Sequence, residues 1–181
     1  MKFTKKLTFS AVSVALGVVF MLLGFFLEML DLTAAALASL VMVFIYLEVG
    51  HPYTFAVWIA TSLLAFLFYQ GSLLWIEYFL VFGIYPIIKG YIEKLPRWSW
   101  IPIKLVFCAV SCLGLVLFSH FVLAMPIISE GDALFGISGN LLYMILGAVL
   151  LVAFLCYDLF INVMVRFYLV KLRPKLSKLL K

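Results

Sequence analysis

The segment KGYIEKLPRWSWIPIK, residues 89–104, holds all the basic side chains found between Leu7 and Val165 of this chain. Its cations are Lys89, Lys94, Arg97 and Lys104. Two more clusters sit at the ends: Lys2, Lys5 and Lys6 first, then Arg166, Lys171, Arg173, Lys175, Lys178 and Lys181. Together they account for all 13 Lys and Arg residues. Basic residues that flank membrane spans stay on the cytoplasmic side. The three clusters therefore place the N-terminus, one central loop and the C-terminus on one side of a membrane. Each gap between them must hold an even number of crossings.

Composition demands the same solvent. Of 181 residues, 67% are hydrophobic and 12% charged, and the mean hydropathy is +1.27. Soluble domains are about 45–50% apolar and about 25% charged. A soluble fold of this length has no interior large enough to hide such a surface. The apolar runs are continuous, which argues against the short alternating segments of a β-barrel. The net charge of +5 comes from clusters flanking spans and does not describe a nucleic-acid surface. The expected class is an all-α integral membrane protein.

The first apolar run follows a basic start, as a signal peptide does. It extends from about Leu7 to Leu27, enough for a bilayer core of ~30 Å at ~1.5 Å per residue. Ala34-Ala35-Ala36-Leu37-Ala38 mimics a cleavage site, but removing the first span would spoil the even count. Retaining it gives a bundle of six transmembrane helices in one domain, residues 1–181. The spans are roughly 7–28, 33–49, 53–69, 73–91, 101–125 and 141–165, with a basic tail at 166–181. Both termini are cytoplasmic, and the expected location is the plasma membrane, as a multi-pass protein. Gly50-His51-Pro52 makes an inner turn, since Gly and Pro punctuate helices. Pro86, four residues after Phe82, predicts a kink in the fourth span because it deprives the Phe82 carbonyl of its helical donor.

Polar groups inside a bilayer are costly and each calls for a role. Near the outer face lie Trp75, Glu77 and Tyr78 early in the fourth span, and His120 late in the fifth. Aromatic walls with a few polar groups at one mouth are the makings of a small-molecule pocket. Glu28, Asp31, Glu130 and Asp132 read as solvated loop charges. Near the inner face, Asp158, Asn162 and Arg166 recur every four residues and share one helix face. Asp158 pairs either with Arg166 through Asn162 or with Lys89 or Lys104 from other helices. This polar ladder either fixes helix register or serves a relay or a partner. Glu48 and His51 read as interfacial.

Chemistry is thinly represented. The chain has no phosphate loop, no nucleophile elbow and no zinc protease motif. Cys108, Cys112 and Cys156 lie in apolar runs and read as packing residues. No Cys/His cluster has zinc spacing. The expectation is a non-enzyme with no cofactor, no metal and no nucleic-acid partner, in contact with membrane lipid.

Small residues one turn apart let helices approach closely, and Ala11 and Ala15 form such a pair in the cytoplasmic half of the first span. With the size, the six helices and the inside termini, this Ala-xxx-Ala pair resembles the substrate-binding S components of energy-coupling factor (ECF) vitamin transporters. The resemblance implies that Ala11 and Ala15 dock on a coupling membrane subunit that works with ATPases. It further implies capture of a vitamin-like small molecule near the outer face, with Trp75, Glu77, Tyr78 and His120 as pocket residues by location, in a bacterial cell membrane. No vitamin-specific motif accompanies it. Size and helix count are also similar to the MreD family of cell-shape proteins, which would make the chain a non-transporting scaffold with a dry, apolar core.

Overall fold

Helix α1 spans Phe3–Leu27, α2 Asp31–Glu48 and α3 His51–Phe68 in the computed structural model, which describes residues 3–27, 30–70, 72–121 and 139–173. Ser10, Ser13, Gly17, Val18, Met21 and Gly24 are the buried residues of α1. Their three- and four-residue spacing makes one helix face, and its small side chains let α1 lie close against α2 and α3. Ala11 and Ala15 lie off that face and are exposed. The α2–α3 turn is fixed by Gly50, whose φ of 99° lies in the left-handed region that favours glycine. Pro52 follows in the first turn of α3, where its missing N–H breaks no helical bond.

The segment expected as a fourth continuous span is broken. It consists of α4 (Leu74–Glu77), a π-helical stretch (Tyr78–Phe82), a turn at Gly83 and Ile84, and α5 (Tyr85–Ile92). Pro86 opens α5, so the irregular backbone lies on its N-terminal side and takes the form of a widened turn closed by Gly83 N–H donating to the Tyr78 carbonyl at 2.7 Å. Glycine is required at position 83 for space. A Cβ there would lie 2.6 Å from Trp58 Cδ1 and 2.9 Å from the Tyr78 carbonyl oxygen.

After a 3₁₀ turn at Arg97–Ser99, α6 covers Trp100–Phe121 and α7 covers Gly139–Phe167, extended by a π-helical turn at Tyr168–Leu172. Helical structure thus continues past 165 into the stretch read as tail. Residues 122–138, with Glu130 and Asp132, lie outside the described residues, as do Glu28, residues 174–181 and the side chain of His120. No strand occurs among the described residues. Among the described residues, five helices, α1, α2, α3, α6 and α7, are long and apolar enough to cross a membrane. Ile101, Val106, Val110, Leu113 and Leu117 of α6 are exposed apolar side chains, as suits a helix whose outer solvent is hydrocarbon.

Described members of all three basic clusters meet at one end of the bundle. Lys6 lies over the Tyr53 ring at 5.7 Å, tying the starts of α1 and α3. Glu48, closing α2, accepts from the Tyr168 hydroxyl at 2.9 Å and faces Arg173 at 3.5 Å. The His51 and Tyr91 rings meet at 4.9 Å. At the other end Phe25 packs on Tyr69 and Trp75 on Phe118.

Candidate functional site

The broken fourth segment leaves main-chain carbonyls without helical donors, and hydrocarbon offers no water to satisfy them. Three other helices supply the donors. Trp58 of α3 donates its indole N–H to the Phe79 carbonyl at 3.3 Å. Ser111 of α6 reaches the Leu80 carbonyl at 3.5 Å. Tyr157 of α7 donates toward the Phe82 carbonyl at 3.3 Å, while its hydroxyl contacts that of Ser39 at 2.6 Å. The single Tyr157 proton is shared between Ser39 and the Phe82 carbonyl orphaned by Pro86. Irregular backbone is tolerated at membrane depth where protein buries it, and irregular helix often marks a site.

Beside this break, in the half of the bundle away from the basic end, is a cavity of about 480 Å³. Its walls come from the first turns of α2 (Leu32, Thr33), the broken segment (Glu77, Phe82) and the facing sides of α6 and α7. Phe82, Phe154 and Tyr157 line it; Phe82 meets Tyr157 edge-on, and Tyr85 meets Phe154 edge-on and Tyr157 at a tilt, ring centroids 4.8–5.7 Å apart. Beyond Glu77, Thr33 and Ser111 the walls are aliphatic, aromatic or thiol. One carboxylate oxygen of Glu77 is buried and has no hydrogen-bond partner among the described residues. All three cysteines of the chain are free and line this cavity, although no group of three His, Cys, Asp or Glu among the described residues has metal-binding geometry.

Of the residues expected at a pocket, Glu77 is on the wall. Trp75 is half-buried and set edge-on between Phe66 and Phe118, off the wall. Tyr78 is fully buried in the core, likewise off the wall. The wall residues of α2, α6 and α7 carried no sequence signal of their own; only folding brings them to one space.

Next to Tyr157 on α7 lies a buried charge, Asp158. Asp158 accepts from the Lys89 ammonium, from Lys104 at 2.6 Å and from the Tyr85 hydroxyl at 2.5 Å. Lys89 also bonds the Asp158 main-chain carbonyl at 3.0 Å. Of the pairings open in the sequence, the structure selects Lys89 and Lys104 over Arg166. Tyr85 and Lys89 are four residues apart in α5 and so share a face; that spacing, next to an intramembrane acid, was the available clue to Tyr85. Each ionised partner is more than four-fifths buried, so each contact is a charge-assisted bond in a poorly screening medium. The cluster ties α5, α6 and α7 together. Asn162 and Arg166 lie farther along α7 and line a second cavity at the basic end.

Fold and site together define an all-helical protein built for a membrane, with one apolar cavity beside a broken helix. No family model matches the chain, and neither a curated protein nor a solved structure matches it significantly.

Proposed function

We propose that this chain is the substrate-binding subunit of an ECF-type transporter. In this reading it crosses the plasma membrane six times, with both termini in the cytoplasm. The segment 74–92 is the fourth crossing, roughly 28 Å long at ~1.5 Å per residue. The observation that carries the reading is the cavity of about 480 Å³ with Glu77 on its wall. Ligand pockets are mostly apolar with a few polar groups that fix orientation. The expected solute is therefore small, largely apolar and equipped with one cationic or hydrogen-bond-donating group for Glu77. The exposed Ala11 and Ala15 support it further, since they offer a coupling subunit a close-approach face that no helix uses among the described residues.

The test is purification from the native host in mild detergent, with mass spectrometry of retained proteins and small molecules. The expected result is a membrane coupling subunit with ATPases, plus a small molecule that Glu77→Ala releases. A protein that carries no solute and co-purifies with cell-wall or division proteins would overturn the proposal. It would favour the scaffold reading, similar to the MreD family, for which the mostly apolar cavity wall is the supporting observation.

A further inference from the structure

We infer that the cavity at the basic end is a binding site for an anionic phospholipid, with its phosphate against Lys89 and Arg166. The cavity measures about 700 Å³ and lies between α2, α5 and α7, with Trp100 on its wall. It is separate from the Glu77 cavity and does not depend on the transport reading.

Charge makes the first argument. Lys89 and Lys104 share the single carboxylate of Asp158. An ammonium has three N–H donors, and Lys89 directs two at Asp158, one to the carboxylate and one to the carbonyl. The third remains for the cavity that Lys89 lines. Among the described residues no carboxylate pairs with Arg166, and Glu93 is the one acid on the wall. Lys89, Lys104 and Arg166 thus face Asp158 and Glu93, an excess of one positive charge, with Lys89 buried and Arg166 and Glu93 exposed. An anion in the cavity is attracted by that excess and accepts from the remaining Lys89 donor.

The wall chemistry selects a lipid over a soluble anion. Leu159 and Val163, 64% and 61% exposed, belong to the outward apolar face of α7 and also line the cavity. Asn162 and Arg166 alternate with them on the same helix. A ligand seated here meets cations at its head and hydrocarbon-facing side chains along its tail. Trp100, the first residue of α6, is of the aromatic type enriched at the headgroup level. Basic pockets between membrane helices on the cytoplasmic side hold anionic lipid headgroups.

The test is native mass spectrometry of the detergent-purified protein with phosphatidylglycerol, phosphatidylcholine of matched chains, and inorganic phosphate. Arg166 is exposed and takes no part in the Asp158 cluster, so Arg166→Gln leaves that cluster intact. Lys171, at the same end but off the cavity wall, provides the control Lys171→Gln. Expected is retention of phosphatidylglycerol in preference to phosphatidylcholine, weakened about fivefold by Arg166→Gln, as loss of one basic contact predicts, and unchanged by Lys171→Gln. Equal retention of the two lipids, or equal loss in the two variants, would overturn the inference. Inorganic phosphate that displaces phosphatidylglycerol at millimolar concentration would also overturn it, in favour of a free-anion site.

Discussion

Lys89 grips Asp158 twice, through the side-chain carboxylate and through the main-chain carbonyl at 3.0 Å. The second bond reaches a carbonyl within α7, so Lys89 fixes the helix as well as the charge. Lys104 closes the other carboxylate oxygen from α6. The broken fourth segment is thereby locked to the last two helices at one acid.

That lock predicts an asymmetry. Asp158→Asn leaves two buried ammonium groups facing one neutral amide and should cost about 3–5 kcal/mol, the range for breaking a buried ion pair from one side. Lys104→Met, which keeps Asp158 paired with Lys89, should cost distinctly less. Thermal unfolding of the two variants in detergent checks the order, and equal losses would deny Asp158 its central place.

Tyr157→Phe removes the hydroxyl that donates to Ser39 and the Phe82 carbonyl while preserving the ring contacts with Phe82 and Tyr85. Leaving a buried acceptor unsatisfied costs roughly 1–3 kcal/mol. The same unfolding measurement should show that loss. A variant as stable as the parent would mean that the carbonyl finds another donor.

Gly83→Ala introduces a Cβ against Trp58 and the Tyr78 carbonyl. Neither backbone oxygen nor packed indole can withdraw freely, and overpacking of this kind costs about 1–3 kcal/mol. The expected readout is a lower unfolding temperature together with altered Trp58 fluorescence, read in a background where the other tryptophans are replaced by Phe.

Ala11→Leu and Ala15→Leu should separate folding from assembly. Both positions are exposed, and such substitutions change stability by no more than about 0.5 kcal/mol. Under the proposed function they abolish co-purification of the coupling subunit. Unchanged co-purification would remove this face from the docking surface.

Thiol labelling tests the packing of α6 against α7. Cys156 is exposed and Cys108 buried, so a small membrane-permeant maleimide should modify Cys156 first. Single-cysteine variants resolve the order by mass spectrometry. A faster Cys108 would mean that α6 sits in another rotation.

The helices were legible because each is a long apolar run bounded by charge or by Gly and Pro. Gly50-His51-Pro52 marked its turn correctly, and Asp158 announced itself as a carboxylate where none is cheap. Pro86 signalled a distortion but not its form. The widened turn at Tyr78–Phe82 depends on Trp58, Ser111 and Tyr157 donating from three other helices, and no local pattern encodes that. Trp75 and Tyr78 matched Glu77 in predicted height, yet they turn to other faces.

By itself, then, the sequence determined that this is a helical protein for a membrane, because hydropathy and basic clusters act through solvent and need no neighbours. Tertiary structure alone decided that Asp158 takes Lys89 and Lys104, that Glu77 rather than Trp75 or Tyr78 meets the cavity, and that three cysteines share one wall. Those choices depend on the rotation and packing of helices distant in sequence. Such positions are set by side-chain volume and hydrogen-bond geometry across the bundle, which the order of residues along one helix does not contain.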